Sequence, residues 1–346
     1  MKTNVNFLKF TAIVLLMLSV TSCNDQPEPN VDPVGDPDYY TVTLGFGGEI
    51  EVGYEPLVRA SDNNDLYGIQ VYSTPDIKLD EGVEPTWSYY AYGLFDNVDN
   101  LSINLLKGYE YKFVATMVVN GKEKLSYIGD SYYLPFNTDI RNAAVVSDNF
   151  TYGIYGFAKD YWGLGFGFSG LAPEGHEYMR PNTERYYGEL EGYNPEEHGS
   201  KAKIKMKRTS FGAKFIAGGK LAKDGILEIL IADAPGMELN LAECKQITEV
   251  FTFYFVREAW LVNDYSETIN VSLNYIREDG STLPLGSHNI VFKRNATTVV
   301  NVNIENEGEN SELGMEITET GEMTEDPETE TTITDGEVVD TDVDTH

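Results

Sequence analysis

Two cysteines, four histidines and 56 carboxylates are the groups in this 346-residue chain with the most scope for chemistry. Only Cys23 has a setting that specifies a reaction. It closes Val20-Thr21-Ser22-Cys23, with the small residue Ser22 directly before the thiol. A cationic segment with Lys2 and Lys9 and the apolar run Phe10 to Val20 precede it. That run is too short to span a bilayer as a helix and has the length of a secretory signal core. The pattern reads as a lipobox, in which the Cys23 thiol receives a diacylglycerol and cleavage makes Cys23 the first residue. The plainer alternatives are an ordinary signal peptide with a chance cysteine, or an N-terminal anchor helix.

The other candidate groups do not converge. His176, His198, His288 and His346 lack the spacing of a metal site. Cys244 has no histidine beside it and reads as a small buried apolar residue rather than a nucleophile. Gly163-Leu164-Gly165-Phe166-Gly167-Phe168 has the wrong spacing for a dinucleotide loop, and no helical pattern follows. No Gly-x-Ser-x-Gly elbow occurs, and a catalytic carboxylate pair cannot be singled out among so many acids. The expectation is a non-enzymatic protein without cofactor or metal. The net charge of −31 repels phosphate backbones and so argues against nucleic-acid binding.

The elements that surround these groups are strands. Val42, Leu44 and Phe46 alternate with small or polar residues, and the apolar pattern resumes at Ile50 and Val52. Tyr67, Ile69 and Val71 repeat the period, as do Leu101, Ile103 and Leu105, and the long run Tyr109 to Val119. Asn120-Gly121 predicts a type I′ hairpin turn with a return strand over Leu125 to Ile128. Lys201, Lys203, Lys205 and Lys207 alternate with Ala202, Ile204 and Met206, so four ammonium groups share one strand face. Such a stripe suits a charged edge or solvent face, or a docking face for an acidic partner or the chain's own acidic end. Further strands are predicted at Ile226 to Ala232, Val250 to Val256, Ile269 to Ile276, Asn289 to Lys293 and Thr297 to Ile304, with a brief one at Leu313 to Ile317.

The fold class is therefore all-β. Residues 1–22 read as a lipoprotein signal peptide. Residues 23–38, with Pro27, Pro29, Pro33 and Pro37, read as an acidic tether about 45 Å long when extended. An N-terminal β-sandwich is expected over 39–147 and a C-terminal one over 148–317. Residues 318–346, acidic, Thr-rich and without aromatic residues, are expected to be a disordered tail.

Several short strings carry a family resemblance. They are Glu55-Pro56-Leu57-Val58-Arg59-Ala60, Asp65 to Tyr72, Arg208 to Phe215, Ala234-Pro235, Pro284-Leu285-Gly286 and Phe292-Lys293-Arg294-Asn295 leading into Thr297-Thr298-Val299. Over roughly Thr41 to Ile304 the chain resembles the fimbrillin-like surface lipoproteins of Bacteroidetes. The acids after Cys23 resemble the surface-export signal of lipoproteins from the same group. The resemblance implies two transthyretin-like β-sandwiches, an outer-membrane address through the lipid on Cys23, and a structural or adhesive role. It implies polymerisation by strand exchange with other fimbrial subunits, after proteolysis at an arginine near the first strand, where Arg59 stands. Val42, Leu44, Phe46, Ile50 and Val52 are then the exchangeable strand. The acidic tail departs from the apolar alternation of a donor strand. The competing reading is a surface lipoprotein that binds polysaccharide on aromatic platforms, with Trp87 to Tyr92, Tyr132-Tyr133, Tyr161-Trp162 and Tyr186-Tyr187 as candidates.

Overall fold

The structure is a computed structural model that describes residues 38–49, 64–78, 82–138, 143–157, 178–219, 224–304 and 313–322. Its first half contains β1 (Tyr39–Gly48), β2 (Leu66–Pro75), β3 (Ser88–Phe95), β4 (Ser102–Leu106), β5 (Tyr109–Val118) and the short helix α1 (Gly121–Lys124). The two-residue strands β6 (Tyr127–Ile128), β7 (Ser131–Tyr132), β8 (Ala144–Val145) and β9 (Thr151–Tyr152) follow. Next come β10 (Arg185–Tyr193), β11 (Lys201–Arg208), β12 (Ser210–Gly218), β13 (Ile226–Ile231), β14 (Met237–Asn240) and β15 (Gln246–Thr252). The chain continues through α2 (Val256–Leu261), β16 (Ser266–Ile276), β17 (Thr282–Lys293), β18 (Ala296–Ile304) and β19 (Leu313–Glu322).

Among the described residues the N-terminal part holds an eight-stranded sheet in the order β4-β1-β11-β10-β5-β2-β3-β9 and a small three-stranded sheet, β6-β7-β8. The expected closure at residue 147 is not where the larger sheet ends, because β10 and β11 supply two of its inner strands. The sheet curls so that its far edge meets β4. Tyr90 Oη on β3 donates to the carbonyl of Asn104 at 2.7 Å, and the Asn104 N–H donates to Tyr152 Oη on β9 at 3.0 Å. One face thereby encloses a core of Val42, Leu44, Phe46, Ile69, Phe113, Met117 and Ile204, each at most 2 % exposed. The other face carries a smaller cluster around Leu94, Val114, Phe136, Phe157 and Tyr187.

The C-terminal part is built differently. Two four-stranded sheets, β15-β12-β18-β19 and β14-β13-β16-β17, face one another across a single core. Phe211 and Phe215 of β12, Phe251 of β15 and Val300 of β18 meet Leu227, Ile229, Val271 and Phe292 of the opposite sheet, all fully buried.

Four local expectations are corrected. Asn120 has a positive φ of 51°, but Gly121 opens α1, so no two-residue hairpin forms and β6 pairs with β7. Gly121 is required by space, since a Cβ there would lie 2.9 Å from Leu66 Cβ. The lysine strand β11 is no edge, being flanked by β1 and β10. Cys244 is exposed, not buried, in the turn after β14, where its N–H donates to the Asn240 carbonyl. At the far end, β19 runs to Glu322, five residues beyond the expected limit of ordered sheet at Ile317, and pairs antiparallel along the whole of β18.

Candidate functional site

The first strand is set unusually in its sheet. Alternation sends Tyr40, Val42, Leu44 and Phe46 to the core and leaves Thr41, Thr43, Gly45 and Gly47 on the outer face. Residues 39–43 pair antiparallel with β4, and residues 43–48 pair parallel with β11. Thr43 alone belongs to both ladders, so β1 acts as a splint across two strands and each half is laddered on one side. Further backbone bonds bind it to the loops at either end: Thr43 N–H to Ser200 O, Gly199 N–H to Thr41 O and Leu44 N–H to Leu101 O, at 2.8–2.9 Å. The Thr41 N–H also donates to His198 Nδ1 at 3.2 Å, with the imidazole edge-on to Tyr39 and Tyr40.

The apolar side chains give β1 its main hold. Val42 and Leu44 are 0 % and Phe46 is 2 % exposed, each worth about 1.5–3 kcal/mol when fully buried. Phe46 lies 6.0 Å, centroid to centroid, from Tyr67. On the outer face, Lys203 lies over Gly47 so closely that a Cβ there would overlap its Cε at 2.0 Å. Glycine at that position lets the lysine stem cover the backbone. The strand ends in Glu49, whose carboxylate accepts two bonds from Arg294 Nη1 at 2.8 Å and one from the Arg208 N–H at 2.8 Å. That pairing straps the end of β1 to the C-terminal sheets. Ile50, Val52 and Arg59, like Cys23, lie outside the described residues.

The strap belongs to a polar junction. Arg208 donates from Nε to Glu184 at 2.9 Å and from Nη1 to Asn295 at 2.5 Å. Arg185 donates from Nε to Thr116 Oγ1 at 2.7 Å, and its N–H donates to Ser210 Oγ at 2.8 Å. Helix α2 adds a clasp from the C-terminal part onto β10 and β11. Trp260 Nε1 donates to the Lys205 carbonyl at 3.1 Å, and Lys207 Nζ donates to the Trp260 carbonyl at 2.8 Å and to Asn263 Oδ1 at 2.7 Å. Burial, with the nearby positive Arg294, lowers the pKa of Lys207. Beside it, Glu189 accepts from Arg257 Nε at 2.5 Å, from Tyr187 Oη at 2.7 Å and pairs with Lys112 at 3.2 Å. Burial alone would raise the Glu189 pKa, but bonds from Arg257 and Tyr187 and the charge of Lys112 lower it overall. Tyr187 is pushed well above its ordinary value, first by burial and then by the Glu189 charge.

The aromatic strings divide. Tyr186 and Tyr187 are core residues, 2 % and 1 % exposed, and form no platform. Tyr90 packs edge-on against Tyr111 and Tyr152, while Tyr72 and Tyr89 stack on each other at 5.3 Å. Trp87, Tyr132 and Tyr133 are half-buried, and Tyr161-Trp162 lies outside the described residues. Among the described residues no group of three or more His, Cys, Asp or Glu is placed to hold a metal ion. His198 and His288 are far apart in the fold, on different sheets or their loops, and His176 and His346 lie outside the described residues. Sequence reasoning missed α2 altogether, because six residues of mixed character carry no readable helical period.

No protein-family model matches the sequence, and no curated protein matches it. Solved structures do resemble it. The tip fimbrial protein Mfa3 from Porphyromonas gingivalis is 9 % identical, with a TM-score of 0.33 over 81 % of this chain and 100 % of that one. A candidate cell adhesion protein from Bacteroides eggerthii is 6 % identical, with a TM-score of 0.38 over 82 % of this chain and 96 % of the other. A candidate polysaccharide-binding protein from Bacteroides thetaiotaomicron is 10 % identical, with a TM-score of 0.35 over 84 % and 99 %. The chain is thus similar in structure to Bacteroidetes fimbrial and adhesin proteins.

Proposed function

We propose that this protein is a non-enzymatic, fimbrillin-like subunit or fimbrial anchor, held at the outer membrane by lipid on Cys23 and joined to other subunits by strand exchange at β1. The observation that carries the reading is the splint position of β1, laddered to β4 over one half and to β11 over the other, with Thr43 alone in both. Removing such a strand opens a groove that Val42, Leu44 and Phe46 had filled and leaves backbone groups of β4 and β11 unpaired. An incoming strand supplies both needs at once, hydrogen bonds from its backbone and apolar side chains at every second position. Because those three side chains are buried, β1 stays in place until the chain is cut. Arg59, in the segment after Glu49, is the proposed cutting point. Cleavage there would leave the lipid and β1 on one fragment and the body on the other.

The test is limited proteolysis with an arginine-specific protease, followed by sizing. The expected result is cleavage at Arg59, loss of the fragment bearing β1, and growth of the body into oligomers. Resistance at Arg59, or cleavage with the body remaining monomeric, overturns strand exchange in this form. For the anchor, labelled fatty acid is expected in the wild type and absent from Cys23→Ala. An unlabelled wild type removes the lipid from the proposal. Acyl chains, at about 0.8 kcal/mol per buried methylene, would suffice for attachment without a spanning helix.

A further inference from the structure

We infer that the groove under β1 selects its incoming strand by a glycine and an acid placed just after the last apolar residue. The inference rests on exchange at β1 and names the partner such exchange takes: a strand of another subunit with the pattern apolar-x-apolar-x-apolar-x-Gly-acid. The acid is fixed by what Glu49 does. The Arg294 side chain is only 8 % exposed, and among the described residues Glu49 is its one carboxylate partner, with both oxygens 2.8 Å from Nη1. Its other bonds go to neutral acceptors, the carbonyls of Asn263 and Arg208. The Arg208 N–H donates to the same Glu49 carboxylate. Lys207, next to it on β11, has its pKa lowered first by burial and then by Arg294, while the Glu49 charge acts to raise it. Departure of β1 carries Glu49 away and leaves a nearly buried guanidinium without its counter-charge. A strand that brings its own carboxylate to that place is strongly favoured over one that does not.

The glycine is fixed by the backbone. Gly48 has a φ of 96°, and a Cβ there would lie 2.5 Å from the Met206 carbonyl oxygen. That oxygen accepts the Glu49 N–H at 2.9 Å, so it cannot retreat without losing the bond. The positive φ at this residue, the last in register with β11, delivers Glu49 to the junction and suits glycine alone. Gly47 is less demanding. The atoms a Cβ would meet there are Cε and Nζ of Lys203, the far end of a flexible side chain. β19 of a second copy does not qualify as the incoming strand. Leu313, Met315 and Ile317 alternate as Val42, Leu44 and Phe46 do, but Glu319 then falls at the glycine position and Thr320 at the acid position.

Peptide exchange tests it. A recognition sequence for a site-specific protease is inserted between Arg59 and Ala60, so that β1 can be released wherever the natural cut lies. The cleaved protein is incubated with labelled, C-terminally amidated peptides of residues 39–49, and entry is followed by fluorescence anisotropy. The native peptide is expected to displace β1. The Glu49→Gln and Gly48→Ala peptides are each expected to bind at least about tenfold more weakly. Gly47→Ala is expected to stay within about threefold of the native peptide. In an Arg294→Met protein the native and Glu49→Gln peptides are expected to bind within about threefold of each other. Should that variant fail to fold, the comparison on the native groove decides alone. A peptide of residues 313–322 is expected not to compete. Equal binding of the native peptide and either Glu49→Gln or Gly48→Ala overturns the inference and leaves exchange at β1 standing. Entry of the 313–322 peptide as tightly as the native one does the same. No entry by any peptide, the native one included, overturns exchange at β1 itself and this inference with it.

Discussion

Phe211→Ala is expected to lower the unfolding free energy by about 3–5 kcal/mol, the range for deleting a buried aromatic side chain. Phe211 is fully buried on β12 and is the hub of the C-terminal core. Its ring lies 4.7 Å from Phe253, 5.7 Å from Phe251 on the neighbouring β15, and 4.7 Å from Phe292 on β17 of the facing sheet. Truncation removes the group that fills the space between the two sheets, and their hydrogen-bonded backbones restrict how far they can close on the void. Denaturant titration of the variant against the wild type measures the loss. A change below about 1 kcal/mol would mean that the sheets collapse onto the gap and that the aromatic cluster is dispensable.

Glu189→Ala is the second large effect, expected at about 2–4 kcal/mol. The figure lies below that for a broken buried ion pair because Arg257 is a third exposed. The Glu189 side chain is only 6 % exposed, and its loss strands Arg257 and the Tyr187 hydroxyl at the α2 clasp, while Lys112 keeps Glu191 at 2.9 Å. The pH dependence follows from the lowered carboxyl pKa. A group whose folded pKa lies below its unfolded one stabilises the fold above the unfolded value and ceases to do so as pH falls through the folded value. The wild-type advantage is therefore expected to be constant from pH 7 down to about 5, and to shrink as pH drops below the ordinary glutamate value of 4.5. Melting curves of wild type and variant across that range check it. An advantage that grows with acidity would reverse the sign of the argument.

Much of the molecule is written in its period-2 patterns. Val42, Leu44 and Phe46 point into the core as the alternation requires, as do Tyr111, Phe113, Ala115 and Met117 on β5. The lysines of β11 alternate with buried Ala202, Ile204 and Met206. These positions are legible because a strand offers each side chain one of two faces, and water sorts apolar from charged locally. The strand character of the chain follows, and with it the candidate residues on β1.

Which strands would be neighbours was not legible. Backbone donors and acceptors are the same at every residue, so a strand's pattern states its face and leaves its partner open. Lys201 to Arg208 has the look of an edge strand, yet it sits inside the sheet because β1, from the far end of the sequence, lies parallel beside it. The entropic cost of closing so long a loop grows only with the logarithm of its length, so distance along the chain did not forbid that pairing. The junction of Glu49, Arg208 and Arg294, and the clasp of α2 on Glu189, arise only once those sheets are placed. Period and polarity determined what each strand buries, and the packing of the whole chain decided what each strand lies against.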